Sequence, residues 1–116
     1  MNRAKLIDFC RKLPHATEDV KWGADLVFSI GRKMFAVFDV DPTGHCSFKV
    51  TPELFDALTM KPGIIPAPYA ARYHWIAITD PRALPHDMAR ELVRESYRLV
   101  AEKLPAKARR RLGLME

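Results

Sequence analysis

Cysteine is scarce in this sequence: Cys10 and Cys46 are the only two among 116 residues. They stand in no C-x-x-C and form no close pair, which excludes a disulfide scaffold, and two free thiols fit a reducing cytoplasm. Long apolar runs are also missing. Met34–Phe38 and Ile64–Ile65 fall far short of the roughly 18 residues that a membrane-spanning helix needs. Asp8, Arg11 and Lys12 interrupt the N-terminal stretch, so it does not read as a secretory signal. Signatures of catalysis are absent too. His15, His45, His74 and His86 are scattered, with no H-x-x-x-H and no Cys/His quartet, so neither a metal site nor a cofactor is expected. Ser47 and Ser96 lie in no G-x-S-x-G elbow, and no G-x-x-x-x-G-K-[ST] loop exists. His45 precedes Cys46 directly, and adjacent strand residues point to opposite faces, so they cannot easily act as base and nucleophile. The expectation is a protein that is not an enzyme.

What is present is ordinary globular material. Hydrophobic residues make up 48% and charged residues 28%, which fits a single domain spanning residues 1–116. A chain of this length buries roughly two-thirds of its unfolded surface, enough for a core without disulfides or metals. No internal repeat or interdomain linker interrupts it.

Apolar periodicity predicts a helix over residues 3–13, with Leu6, Ile7, Phe9, Cys10 and Leu13 on one side and Pro14 ending it. Strands are expected at Asp19–Trp22, Leu26–Ile30, Met34–Val40 and His45–Val50, joined by tight turns at Gly23–Asp25, Gly31–Lys33 and Asp41–Gly44. Thr51 caps a short helix with Pro52 in its first position, running to about Met60. A proline-rich connector over residues 61–69 leads to a last strand at Tyr73–Ile78. The longest helix covers residues 86–104, with Ala89, Leu92, Val93, Ser96, Val100 and Leu104 facing inward. Pro105 interrupts it, and Lys107–Leu112 adds one or two turns. Strands joined by tight turns should be antiparallel, so the expected architecture is α+β: a two-layer sandwich whose antiparallel sheet is covered on one face by the terminal helices.

Strand alternation assigns the two faces of that sheet. Leu26, Phe28, Ile30, Met34, Ala36, Phe38, Cys46, Phe48 and Val50 are expected toward the helices. Lys21, Ser29, Phe35, Val37, Ser47 and Lys49 are expected on the other side, together with Trp75.

The net charge of +5 is unevenly placed. Residues 1–89 hold 11 basic and 10 acidic residues, whereas residues 90–116 hold 8 and 4. No acidic residue falls between Lys103 and Glu116, a stretch that contains Lys107, Arg109, Arg110 and Arg111. Clustered cations attract phosphate by releasing counterions; a C-terminal helix also favours cations in its last turn without any ligand. Arg90, Arg94 and Arg98 form a stripe, but Glu91 and Glu95 stand three residues before Arg94 and Arg98, so that stripe reads as a solvated face. The hairpin tip is different, because Arg32 and Lys33 project beyond the sheet, as a wing does when it grips a phosphate. On the outer face, Lys21 and Lys49 stand beside Phe35 and Trp75, a mixture in which rings stack bases and cations hold the backbone. In the connector, Pro66 and Pro68 stiffen the chain that presents Tyr69, Arg72 and Tyr73. That segment either meets phosphate or a flat ring, or serves as a lid on the open sheet face.

At these same residues the sequence resembles the MmcQ/YjbR family of small bacterial proteins. The resemblance rests on Gly31-Arg32-Lys33-Met34-Phe35-Ala36, Pro62-Gly63-Ile64, and Pro66-Ala67-Pro68-Tyr69 with Arg72 and Trp75. It continues through Ala83-Leu84-Pro85, Ser96-Tyr97-Arg98-Leu99-Val100 and Leu104-Pro105. It implies a frataxin-like fold and DNA binding through a double-wing arrangement. A frataxin-like fold also raises iron, but an iron-binding first helix needs clustered carboxylates, and here Arg3, Lys5, Arg11 and Lys12 stand against Asp8 alone. The combined expectation is a cytoplasmic, non-enzymatic DNA-binding domain. Arg32 and Lys33 are its wing-tip contacts, and Lys21, Lys49, Arg72 and Arg109–Arg111 supply further cations. The alternative is a protein-interaction or small-ligand module using the surface of Tyr69, Tyr73 and Trp75.

Overall fold

The computed structural model describes residues 1–114; Glu116, which ends the C-terminal run of cations, lies outside the described residues. The chain forms α1 (Arg3–Lys12), β1 (Thr17–Lys21), β2 (Asp25–Ile30), β3 (Lys33–Asp39), β4 (Cys46–Lys49), α2 (Pro52–Leu58), β5 (Ile64–Pro66), β6 (Trp75–Ile78), α3 (His86–Glu102) and α4 (Ala106–Arg111). Local chemistry sets several of these boundaries. The Asn2 side chain accepts from the Lys5 amide at 3.0 Å and starts α1. Leu13 turns extended ahead of Pro14 and stops it. Thr51 Oγ1 accepts from the Leu54 amide at 3.3 Å to start α2, with Pro52 in the first helical position. Among the described residues, no helix is long and apolar enough to cross a membrane.

The six strands make one sheet in the order β1-β2-β3-β4-β6-β5, antiparallel throughout. Helices α1 and α3 cover one face, giving the expected two-layer α+β architecture. Leu6 and Cys10 of α1 and Ala89, Leu92, Val93 and Val100 of α3 join Phe28, Ile30, Phe38, Phe48, Ile76 and Ile78 in the main core. Phe28 and Phe38 meet edge to face at 5.9 Å, the arrangement that the ring quadrupoles favour. The last strand, expected from Tyr73, starts at Trp75, because Ala71–Tyr73 form a 3-10 turn closed by a left-handed His74, and the strands differ from expectation at two further places. The connector contains an edge strand, β5, whose Pro66 is tolerated because an edge residue needs no amide donor. At the first hairpin, β1 begins at Thr17 and stops at Lys21, leaving Trp22 in the turn.

Strict alternation misplaces one pair of residues. Phe28 faces Ala36 across the β2–β3 ladder, but Ser29 faces Met34, so Phe35 is an extra residue that makes a β-bulge. The bulge reverses the parity of the start of β3. Phe35 is fully buried in the helix-side core, with its ring 5.3 Å from that of Tyr97. Met34 turns instead to the outer face, beside Trp75, Val37 and Ala67. Buried Ser96 on α3 completes the backbone hydrogen bonding nearby: its Oγ donates to the Phe35 carbonyl at 2.7 Å and accepts from the Lys49 amide at 3.0 Å. One hydroxyl therefore continues the β3–β4 ladder past its last direct pair, Ala36 with Phe48.

Candidate functional site

Antiparallel pairing brings the end of β2, the start of β3, the end of β4 and the start of β6 to one end of the sheet. Cations from distant parts of the chain gather there. The β2–β3 connection is the two-residue loop Gly31-Arg32, with φ of 55° and 69°, as tight hairpins require. A side chain at Gly31 would displace Leu104, because an added Cβ would lie 2.7 Å from Leu104 Cδ1. That contact also brings the end of α3 against the hairpin. Arg32 holds a left-handed backbone that costs an L-residue about 1–2 kcal/mol, and it projects into solvent with Lys33.

Lys49 ends β4 and donates from Nζ to the Tyr73 carbonyl at 2.7 Å. Partial burial and then the nearby Lys103 hold its ammonium pKa below the ordinary lysine value. Arg72 donates from Nη2 to the Tyr73 hydroxyl at 2.7 Å and stacks its guanidinium 4.8 Å from that ring's centre. Among the described residues, Arg32, Lys33, Lys49, Arg72 and Lys103 form no ion pair. The stripe on α3 is the opposite case: Arg90 pairs with Asp87, Arg94 with Glu91, and Arg98 with Glu95 and Glu102.

Of the residues singled out in the sequence, Arg32, Lys33, Lys49 and Arg72 thus share one end, and Lys103 joins them. Lys21 does not, because it lies across from Asp25 at the far end of β2. Arg109, Arg110 and Arg111 form the last turn of α4, which follows Leu104 after Pro105; Ala108 and Leu112 of this segment pack toward the core.

The outer face holds a second feature, a cavity of about 600 Å³. Met34, Val37, Ser47 and Trp75 line it from the strands, residues 67–70 from the connector, and Trp22, Asp25, Asp39 and His45 from the opposite end. The proline-rich connector is therefore a partial lid. Ala67 and Ala70 pack on Trp75 and Ala77, closing the β6 side, while a groove stays open toward β2. Trp75, expected as a contact ring, is only 8% exposed and lines this groove. Tyr69 is fully exposed and Trp22 is 70% exposed. Both hold left-handed backbones, with φ of 66° and 55°, a costly conformation for a bulky side chain. Sequence reasoning missed Trp22, Met34, Asp25, Asp39 and His45 as a group. The available signal was Trp22-Gly23-Ala24-Asp25, a turn that carries a tryptophan.

Neither cysteine is placed to act as a nucleophile. Both are buried and unpaired, and burial pushes the Cys10 thiol up to about 12 and raises that of Cys46.

The sequence model of the YjbR family matches residues 11–99. Two solved structures are similar. One is a Deinococcus radiodurans protein described as a DUF419 domain, 30% identical, with a TM-score of 0.84 over 98% of this chain and 89% of that one. The other is a Pseudomonas syringae protein, 28% identical, with a TM-score of 0.68 over 86% of this chain and 99% of that one. No curated protein matches.

Proposed function

The chain belongs to the YjbR family, and from that premise we propose that it is a cytoplasmic, non-enzymatic DNA-binding protein that holds the phosphate backbone at the basic end of its sheet. The observation that carries this reading is the gathering of Arg32, Lys33, Lys49, Arg72 and Lys103, none of them in an ion pair among the described residues. Lys49 and Lys103 are particularly suggestive. The Lys49 ammonium is partly buried and already donates to the Tyr73 carbonyl, and Lys103 adds a second positive charge nearby, so an anion at this end would relieve their mutual repulsion. The hairpin places Arg32 at its apex in a left-handed conformation that tight turns usually assign to glycine or asparagine. Arg109–Arg111 extend the positive surface along α4. These contacts position a duplex and carry no sequence preference.

A salt titration of binding to a fluorescent DNA duplex tests the proposal. Five phosphate contacts predict a slope of log K against log salt of about −4 to −5. Replacing Arg32 and Lys33 together by Ala should flatten that slope by about 2, with little change in melting temperature. A salt-insensitive affinity, or a slope unaltered by the double substitution, contradicts the proposal. The groove beside Tyr69 and Trp75 favours a second reading, a small-ligand module.

A further inference from the structure

We propose that the outer-face groove binds an organic cation of the quaternary ammonium type. This inference stands apart from DNA binding and rests on different residues. The cavity, about 600 Å³, lies within the usual range for small-molecule sites. No Lys or Arg lines it, although the chain as a whole carries a net charge of +5. Two half-buried carboxylates do, from Asp25 and Asp39, and neither is in an ion pair among the described residues.

The cations nearest these carboxylates do not line the cavity. Arg3 donates to the Asp39 backbone carbonyl and lies 5.5 Å from the Phe38 ring centre, on the helix side. Lys21 is the strand partner of Asp25 but does not line the cavity. Asp39 is held in place, accepting the Asp41 amide at 3.0 Å and packing where a Cβ on Gly44 would come within 2.4 Å.

Rings supply the remaining contacts. Trp22 and Tyr69, exposed on left-handed backbones, and the buried Trp75 all line the cavity. Ring faces attract a diffuse positive charge, an attraction that grows as the cation is desolvated. A quaternary ammonium has no N–H groups to satisfy and spreads its charge over its methyl surface, so its methyls can lie against the rings while the two carboxylates hold the charge without direct hydrogen bonds. Phosphate and other anions are repelled by the same two carboxylates.

The test compares choline with 3,3-dimethylbutan-1-ol, the neutral molecule of the same shape, using tryptophan fluorescence and amide chemical shifts of the full chain. Choline should give saturable changes at Trp22, Tyr69 and Ser47, and the neutral analogue should bind at least about tenfold more weakly. Trp22→Gly, which keeps a residue suited to the left-handed turn, and Asp25→Asn should each weaken choline binding about tenfold. Absence of saturable choline binding, equal binding of the neutral analogue, or unchanged affinity in both variants overturns the proposal. Because no DNA is present, its failure leaves the reading of the basic end untouched.

Discussion

The two ends of the sheet carry opposite chemistry. At the β2–β3 hairpin end stand Arg32, Lys33, Lys49 and Arg72, with Lys103 supplied by the C-cap of α3. At the other end stand Trp22, Asp25, Asp39 and His45. The net charge of +5 therefore says little by itself. Three arginines are neutralised locally along α3, and strand topology gathers unpaired cations at one end of the sheet, whereas at the other end Lys21 stands across from Asp25. Antiparallel pairing collects residues that are far apart in the chain at the same sheet end, and the alternation of hairpins sorts basic turns from acidic ones. A polyanion laid across this face has one end to hold and another to avoid.

The strongest way to break that contrast is to invert its positive end. Arg32→Glu combined with Lys33→Glu should lower DNA affinity by about a hundredfold at low salt, measured by fluorescence anisotropy, while choline binding in the groove stays unchanged. A parallel loss at both sites would show that the two ends are not independent.

Ser96→Ala addresses the element between them. It leaves the Phe35 carbonyl and the Lys49 amide without their buried partner, which should cost about 1–3 kcal/mol in urea denaturation. Because Ser96 ties down the bulge that turns Met34 outward, the same variant should also shift the amide resonances of Met34 and Trp75.

The thiols give a pH test that touches neither end. An exposed cysteine ionises near 9.0, whereas Cys10 holds its proton to about 12. Above pH 9 the unfolded chain therefore releases a proton that the folded chain keeps, and stability should fall as pH rises through that interval. Below pH 9 the thiols add no slope. Denaturant midpoints between pH 8 and 10.5 read this, and iodoacetamide at pH 8 should label neither cysteine until the chain unfolds.

The smallest expected effect is at Arg94, a cation already paired with Glu91 at 3.0 Å. Arg94→Ala should leave the DNA salt slope unchanged and lower the melting temperature by about 1–5 °C, because it also gives up the guanidinium's place 5.3 Å from the Phe9 ring centre.

Much of this was legible in the sequence. Thr51-Pro52 announced α2, Pro14 closed α1, and Gly31-Arg32-Lys33 marked the hairpin whose cations stand at the basic end. The inward stripe of α3 was also readable, including Ser96, although its role as a bridge between strands was not, since hydrogen bonds across 61 residues leave no local trace. Strand parity failed at Met34 and Phe35 because a bulge adds one residue without a sequence signature when both residues are apolar. Strand β5 was hidden by its prolines, which argue against a central strand but not an edge. The groove escaped notice because the sequence put Asp25 in a turn and gave Asp39 no face, whereas the two stand opposite each other at the ends of β2 and β3, and Lys21 was misgrouped because a shared face is not a shared end.

The account is tested most directly by mapping amide chemical shifts of the labelled chain as a DNA duplex is added. Shifts should concentrate at Gly31–Lys33, Lys49, Arg72, Tyr73 and Lys103, fade as salt is raised, and spare Trp22, Asp25 and His45. Shifts centred on Trp22 and Asp25, or a pattern indifferent to salt, would contradict it.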